Sequence, residues 1–149
     1  MFKLLIIVDK FKGSLSAREV CDIISDAFHK IHPQLEMELL PLADGGDGTI
    51  EAIEHFGDEI LELFVKDAVG REIKVPVLRV GDCIFCEMAK STGLWSLSRQ
   101  ERDPIATSSY GFGEVIKKVA EMGYRKITLG IGGSATNDVG TGMISALGF

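Results

Sequence analysis

Three segments with the same order of features constrain the fold of this chain more than any other part of its sequence. They are residues 9–14, 44–49 and 132–138, called here the first, second and third loops. Each follows a strand-like apolar run, combines glycine with an acidic residue, and leads towards a helix-like pattern. Alternation of strands and helices is typical of parallel sheets, whose strands present such loops at their carboxyl edge. The sequence therefore predicts that all three loops lie at one sheet edge.

The first third of the chain reads as strand, helix, strand, helix. The continuous apolar run at 4–8 predicts a strand buried on both faces. Ser16 with Glu19 has the spacing of a capping box, and Pro33 marks the end of the helix that follows. Residues 36–40 and 49–56 predict a second strand and a second helix.

The middle of the chain has a different pattern, with three successive strand-like runs. They cover residues 60–65, 73–80 and 83–88, and turn-like pairs separate them, which predicts an antiparallel meander. Residues 67–70 fit a tight turn with Gly70 at a positive φ. Pro76 has no N–H to donate, so we expect its strand at a sheet edge.

The last third returns to helix, strand and loop. Ser108 or Ser109 is expected to cap a helix over about 113–122, followed by a strand at 126–130 and a helix from about Thr141. Together the patterns predict an α/β fold: a Rossmann-like parallel sheet with helices on both faces, plus the start of a second, smaller α/β domain that contains the meander. The predicted domains are 1–63, as the first part of a discontinuous domain, and 64–149.

Composition and charge narrow the class of function. The chain has 149 residues and a net charge of −6, so no global positive field attracts nucleic acid or an anionic membrane. Its N-terminal apolar run is too short for a signal peptide or a membrane span. Three cysteines and no secretory feature predict a cytoplasmic location. Cys83 and Cys86 have CxxC spacing but point to opposite faces of a predicted strand, so we expect no redox or metal role.

The loops carry residue types that suit phosphate chemistry. Glycines admit close backbone approach, and helix N-termini offer free N–H groups and a positive dipole end to anions. Lys10 and Lys12 add positive charge. Four loop aspartates and three hydroxyls are candidate ligands of Mg²⁺, proton acceptors or hydrogen-bond partners. These are Asp9, Asp44, Asp47, Asp138, Ser14, Ser134 and Thr136.

Structural interpretations of the same loops remain open, because glycine turns and Asp or Ser caps occur widely without function. The second loop and the third loop nevertheless hold more glycine and polar groups than a turn needs. No GxxxxGK[ST] motif occurs. Residues 130–135 fit G-x-G-x-x-A after a strand, a weak Rossmann-like match.

The loops also resemble a known family. Residues 9–17, 43–49 and 132–138, with 87–94 and 107–114 between them, are similar in order and spacing to the signature blocks of bacterial class I glycerate kinases. This resemblance implies ATP-dependent phosphorylation of D-glycerate with Mg²⁺, usually at the 2-hydroxyl. It also implies two α/β domains, one of them discontinuous, in a much longer chain, so we expect this chain to be truncated relative to the family.

The resemblance and the loop chemistry together give a hypothesis for the site. Asp44 is the first candidate for an acid near the transfer site and Asp138 the second, and Lys12 with Lys10 is expected to neutralise the transferred phosphoryl group. Asp44, Asp47 and Asp138 are the candidate Mg²⁺ ligands, and the sequence does not separate base from metal ligand. The predicted substrate- and phosphate-binding residues are Asp9, Lys10, Gly13, Ser14, Gly45, Gly46, Gly48, Thr49, Gly132, Gly133, Ser134, Thr136 and Asn137.

Departures and rival hypotheses remain. Val8 and Lys10 replace residues common in the family, and Val139 stands where a glycine commonly follows Asn-Asp, so a loop that needs a positive φ there would be altered. One rival is a nucleotide- or dinucleotide-binding module. Another is an inactive N-terminal fragment that forms homo-oligomers or associates with a missing C-terminal portion.

Overall fold

A computed structural model describes residues 2–149. The strands are β1 (Lys3–Val8), β2 (Glu36–Pro41), β3 (Glu59–Lys66), β4 (Glu72–Val80), β5 (Cys83–Glu87) and β6 (Lys126–Gly130). The α-helices are α1 (Ala17–Ile31), α2 (Thr49–Ile53), α3 (Met88–Thr92), α4 (Tyr110–Glu121) and α5 (Thr141–Leu147). Short 3-10 turns cover Glu54–Phe56, Leu94–Ser96 and Arg99–Glu101.

The first sheet consists of β1 and β2, which pair in parallel with α1 packed against them. The predicted capping box begins α1: the Ser16 hydroxyl accepts the N–H of Glu19, whose carboxylate accepts the N–H of Ser16. Ile6 is buried, whereas Leu5 and Ile7 are 50% and 46% exposed. The prediction that β1 is buried on both faces was therefore wrong for the described residues, because α1 covers one face only.

The second sheet has the order β3-β4-β5-β6 and contains the main core. Its first three strands are antiparallel, which confirms the meander, and β6 joins β5 in parallel. Helix α4 covers this sheet with Phe112, Val115 and Val119, all at most 2% exposed. Burial of these side chains between α4 and the sheet supplies the main hydrophobic stabilisation of this region.

The expected edge position of the Pro76 strand was wrong. Strand β4 lies between β3 and β5, and Pro76 is paired with Glu62 of β3. The ladder between β4 and β5 covers only Leu78 to Val80. Proline is accommodated because its position lies beyond the end of that second ladder, where no partner strand needs its missing N–H.

The tight turn at 67–70 is confirmed, with Gly70 at a φ of 90° and its N–H donated to the Asp67 carbonyl. The buried Asp67 carboxylate accepts the N–H groups of Val69 and Arg71 and pairs with the Arg71 guanidinium. Burial opposes ionisation, but these hydrogen bonds outweigh it and lower the pKa of Asp67. This carboxylate stabilises the turn that follows β3.

The predicted α/β class is confirmed, but the three loops do not leave one sheet. The first and second loops follow β1 and β2, whereas the third follows β6 of the second sheet. The prediction of a single common sheet edge was wrong because the chain builds two separate sheets. The domain boundary between 63 and 64 stays a prediction, and the second sheet begins at Glu59.

Candidate functional site

The first and second loops are joined by an ion pair. The Lys10 ammonium donates to Asp44 Oδ1 at 3.0 Å and lies 3.4 Å from Asp9 Oδ1. Burial opposes the charge on Lys10, but its two carboxylate partners outweigh burial and raise the pKa of Lys10. The hydrogen bond from Lys10, with one from the Gly46 N–H, lowers the pKa of Asp44. Both groups are therefore charged at neutral pH.

The second and third loops meet through glycines. The Gly132 N–H donates to the Gly45 carbonyl at 3.0 Å. A Cβ on Gly132 would lie 2.7 Å from the Gly46 Cα, and a Cβ on Gly130 would lie 2.7 Å from the Gly45 carbonyl oxygen. These backbones approach so closely that no other residue fits, so the glycines connect the two sheets as well as shaping the loops.

A cleft of about 520 Å³ opens between the first and second loops. It contains two lysines, Lys10 and Lys90, together with Arg18 and several carboxylates. Its lining is Asp9, Lys10, Phe11, Gly13, Ser14, Leu15, Ser16, Ala17, Arg18, Leu42, Asp47, Gly48, Glu51, Ala52, Glu54 and Lys90. Six residues of the predicted binding and metal sets line it: Asp9, Lys10, Gly13, Ser14, Asp47 and Gly48.

Lys90 is a cleft residue that the candidate list did not include. It lies on α3, its side chain is 19% exposed, and its ammonium is 2.5 Å from Glu51 Oε1 and 4.0 Å from Glu87 Oε1. Burial opposes its charge, but Glu51, Glu87 and Asp47 together raise the pKa of Lys90. The only sequence signal for it was its place in the family-like segment at 87–94.

Glu87 is a buried carboxylate at the end of β5. Its Oε1 accepts the Gly48 N–H at 3.0 Å and its Oε2 accepts the Ile50 N–H at 2.9 Å. Burial raises the pKa of Glu87, although these N–H groups and the Lys90 ammonium oppose the shift. Gly48, at a φ of 86°, is the residue before α2, which no side chain of its own loop caps. Glu87 therefore caps α2 from the second sheet.

The third loop lines no part of this cleft, and its last residue, Asp138, ties α4 and α5 together. Asp138 Oδ2 accepts the N–H and the hydroxyl of Ser109, both at 2.8 Å, and the Gly142 N–H at 3.1 Å. Asp138 Oδ1 accepts the Gly140 N–H at 3.1 Å and the Thr136 hydroxyl at 3.3 Å. Burial opposes ionisation, but these donors outweigh it and lower the pKa of Asp138 to about 2.

Ser109 shows how this contact changes a local prediction. It is the N-cap residue of α4, which begins at Tyr110, three residues before the predicted start, but its hydroxyl does not cap that helix. The hydroxyl donates to Asp138 and accepts the Met143 N–H at 2.9 Å. A tertiary partner therefore replaced the local one at Ser109, whereas the hydroxyl of Ser108, the other predicted cap, accepts the Tyr110 N–H at 3.1 Å.

The other predicted site residues are placed as follows. The Thr49 hydroxyl is buried and donates to the Gly46 carbonyl at 2.6 Å. The hydroxyls of Ser134 and Thr136 are hydrogen-bonded to each other, and the Asn137 N–H donates to the Pro104 carbonyl. Lys12 is exposed and does not line the cleft. The roles assigned to all of these residues, and to Asp44, Asp47 and Asp138, stay predictions.

Val139 adopts the backbone conformation that a glycine would accept more readily. Its φ is 54°, and its side chain is 91% exposed. A β-branched residue in the left-handed region carries strain of about 1–2 kcal/mol. The loop thus has a positive φ at this position although valine occupies it, and the Gly140 N–H that follows donates to Asp138.

The Rossmann-like pattern at 130–135 lies in a different local setting from a dinucleotide fingerprint. It follows β6, but the next helix begins only at Thr141. Gly130 and Gly132 pack against the second loop, and the Ala135 N–H donates to the Thr92 carbonyl. The glycines are occupied by contacts within the protein.

Three further observations concern metals, a buried thiol and membranes. Within residues 2–149, no three His, Cys, Asp or Glu side chains lie close enough to hold a metal without other ligands. Burial raises the pKa of Cys86 to about 12, so its thiol is protonated at neutral pH. Over the same described range, every helix is too short or too polar to cross a bilayer.

Comparison with known proteins points to one family. A model described as the glycerate kinase family matches residues 4–149. Two relatives are each 40% identical over 149 residues, a glycerate kinase from Haemophilus influenzae and a glycerate 2-kinase from Escherichia coli. In both cases the match covers 98% of this chain and 39% of the relative. The chain thus spans about two fifths of the length of these relatives.

A solved structure gives the same result for the fold. A crystal structure of a protein assigned as glycerate kinase 2 from Salmonella typhimurium LT2 matches with a TM-score of 0.73 and 42% identity. The match covers 99% of this chain and 41% of the other.

Proposed function

Because the chain belongs to the glycerate kinase family, we propose that the protein transfers the γ-phosphoryl group of ATP to the 2-hydroxyl of D-glycerate, giving 2-phosphoglycerate. The relatives named above are glycerate kinases about two and a half times as long, so the proposed activity is that of the whole protein. Since the reaction consumes ATP, we expect it in the cytoplasm, with no nucleic acid or membrane partner.

The observation that carries this proposal is the pair of partly buried lysines in the cleft. The side chains of Lys10 and Lys90 are 12% and 19% exposed, and each is held by a carboxylate. Phosphoryl transfer depends chiefly on positioned positive charge and on orientation of the reactants. Two fixed ammonium groups suit the anionic phosphate and carboxylate of the reactants.

Asp44 is proposed to act beside Lys10 at the transfer site. Its carboxylate fixes the Lys10 ammonium and remains ionised, with its side chain 55% exposed and able to accept a further hydrogen bond. A substrate hydroxyl that donates to this carboxylate would be oriented for attack on the phosphoryl group.

Mg²⁺ would be held with help from the phosphate oxygens, because it usually takes only one or two carboxylates from the protein. Asp47 and Asp9 both line the cleft and suit this role. Asp138 suits it less, since its two oxygens already accept five hydrogen bonds. When bound, Mg²⁺ would neutralise charge on the transferred phosphoryl group.

The test is D-glycerate-dependent release of ADP by the intact protein, with the phosphorylated product identified by ³¹P NMR. We expect Asp44→Asn and Lys10→Met each to lower kcat/KM by roughly hundredfold. The exposed pair of Lys126 and Asp82, with its atoms 2.6 Å apart, gives matched controls, since Asp82→Asn and Lys126→Met change the same chemistry away from the cleft. Absence of glycerate-dependent turnover would overturn the proposal, and full turnover in Asp44→Asn would remove Asp44 from the reaction.

A further inference from the structure

Glu87 is buried at a cost that its surroundings must offset. Its side chain is fully buried, and an unpaired carboxylate in such a place is strongly unfavourable. Two backbone N–H groups, those of Gly48 and Ile50, satisfy one oxygen each. Hydrogen bonds to an ionised acceptor are about twice as strong as neutral ones. These bonds hold the start of α2 and offset part of the cost of burial, which still leaves the pKa of Glu87 raised.

The residues that Glu87 holds belong to the second loop. Gly48 ends that loop at a φ of 86°, and the Thr49 hydroxyl is turned back to the Gly46 carbonyl. No side chain within the loop accepts the Gly48 N–H or the Ile50 N–H. The acceptor comes instead from β5, 39 residues further along the chain than Gly48. The conformation of the loop at this point thus depends on the second sheet.

Glu87 also acts on the cation of the cleft. Lys90 follows it by one helical turn, and the distance from the ammonium to Glu87 Oε1 is 4.0 Å. The other nearby anions are Glu51, at 2.5 Å, and Asp47, both on the side of the second loop and α2. The Lys90 ammonium therefore lies between the buried carboxylate of Glu87, at the end of β5, and the carboxylates of Glu51 and Asp47, in α2 and the second loop.

From this geometry we propose that Glu87 is a positioning residue of the phosphoryl-transfer site. Its carboxylate fixes the second loop through Gly48 and Ile50 and keeps the Lys90 ammonium in the cleft. It lines no part of the cleft itself. The inference rests on the proposed function for its kinetic consequence, whereas its structural part, control of the loop by Glu87, stands without it.

Glu87→Gln is the informative variant because it keeps the shape of the side chain and removes its charge. The amide has one oxygen acceptor, so it satisfies one of the two N–H groups and turns its own NH₂ towards the other. Asp67→Asn is the matched control, since Asp67 is also buried and accepts two backbone N–H groups, but at the turn after β3.

The first measurement is amide hydrogen exchange by NMR, which needs no enzyme activity. We expect Glu87→Gln to accelerate exchange at Gly48 and Ile50 by roughly tenfold to hundredfold and to shift the amide signals of Gly45 and Gly46. Asp67→Asn should leave those four amides unchanged. Unchanged exchange in Glu87→Gln, or equal acceleration in both variants, would overturn control of the loop by Glu87.

The second measurement is steady-state kinetics on the intact protein. Misplacement of the loop and of Lys90 should lower kcat for glycerate phosphorylation by at least about tenfold in Glu87→Gln, with a smaller change in KM for ATP. Glu87→Asp, which keeps the charge, should recover part of the loss, and Asp67→Asn should retain full kcat. Altered exchange with unaltered kcat would overturn the catalytic part. A wild type without glycerate turnover would count against the proposed function, and the exchange result would then still decide the structural part.

Discussion

The two sheets of this protein differ in how well they are covered, and most of the cleft chemistry lies on the less covered one. The first sheet has two strands, one helix against it, and exposed Leu5 and Ile7. The second has four strands and a core that includes Phe112 and Ile84, both fully buried. The lysine and aspartates of the first and second loops nevertheless depend on both, because Gly132 and Glu87 contact the second loop from the second sheet.

This difference indicates a division of tasks. The second sheet supplies a stable support. The first sheet supplies loops, and the second loop is held against the second sheet by glycine packing and by the buried Glu87 carboxylate. Binding residues often lie on loops that a rigid scaffold positions. Four predictions test the division, from the largest expected effect to the smallest.

The largest effect should come from the core of the second sheet. We expect Phe112→Ala to lower the free energy of unfolding by about 3–5 kcal/mol, because it leaves a cavity in a fully buried cluster. Phe28→Ala, in α1 against the first sheet, should cost less than half as much, because Phe28 is 40% exposed. Denaturant unfolding followed by circular dichroism measures both, and equal losses would contradict the difference between the sheets.

The second effect depends on pH and concerns Asp138. Its pKa in the folded protein is about 2, below the ordinary value of 3.8, so ionisation favours the folded state. The stabilisation, about 2 kcal/mol, is complete above about pH 4 and is lost as the pH falls towards 2. Asp138→Asn should therefore lower stability at pH 7 and lose that difference from wild type in acid.

Asp44→Asn serves as the comparison for this pH profile. The pKa of Asp44 is also lowered, but its side chain is 55% exposed, so solvent screens the interaction and its effect on unfolding should be smaller. Parallel stability curves for wild type and Asp138→Asn from pH 7 to pH 2 would show that Asp138 has no such role.

The third effect concerns the N-terminus of α1. Ser16→Ala should remove about 1 kcal/mol of stability, because it deletes the hydroxyl of the capping box. Hydrogen exchange should show the loss mainly in α1 and β1 if the first sheet opens separately from the second. Ser98→Ala removes a similar box from the turn at Arg99–Glu101 and should leave exchange in α1 unchanged. Uniform acceleration over both sheets in Ser16→Ala would indicate one cooperative unit.

The smallest effect is a gain. Val139→Gly should raise stability by about 0.5–1 kcal/mol, because relief of strain at a φ of 54° exceeds the entropy that glycine adds to the unfolded chain. Little burial is lost, since Val139 is 91% exposed. Thermal unfolding measures the change, and Val139→Ala is expected to lie between glycine and valine. A lower melting temperature for the glycine variant would mean that strain at this loop is negligible.

Much of the secondary structure followed from the sequence, and the errors have identifiable causes. The Ser16–Glu19 box, the meander and the turn at Gly70 depend on residues close together in the chain, and all are confirmed. Pro76 was misplaced because the length of a neighbouring ladder is not encoded in its own strand. The apolar run of β1 predicted packing on both faces of the strand, whereas α1 packs on one face only.

The candidate site was only partly visible in the sequence. The glycine loops and Lys10 were identified from local patterns, and the structure brings Lys10 to Asp44, 34 residues away. Lys90 and Glu87 escaped the candidate list because an isolated lysine or glutamate at the end of a strand is usually exposed and without function. Their importance depends on burial and on partners that sequence spacing does not reveal.

The sequence by itself determined the three glycine-and-acid loops, their helices and strands, and the resemblance to a family that comparison then confirmed. Local hydrogen bonding and side-chain periodicity are sufficient for that. Only the tertiary structure decided that the loops come from two sheets, that Asp138 ties α4 to α5, and that Glu87 caps α2. The reason is physical: a buried charge must find its hydrogen-bond partners wherever the packed chain brings them, and those partners lie far away in sequence.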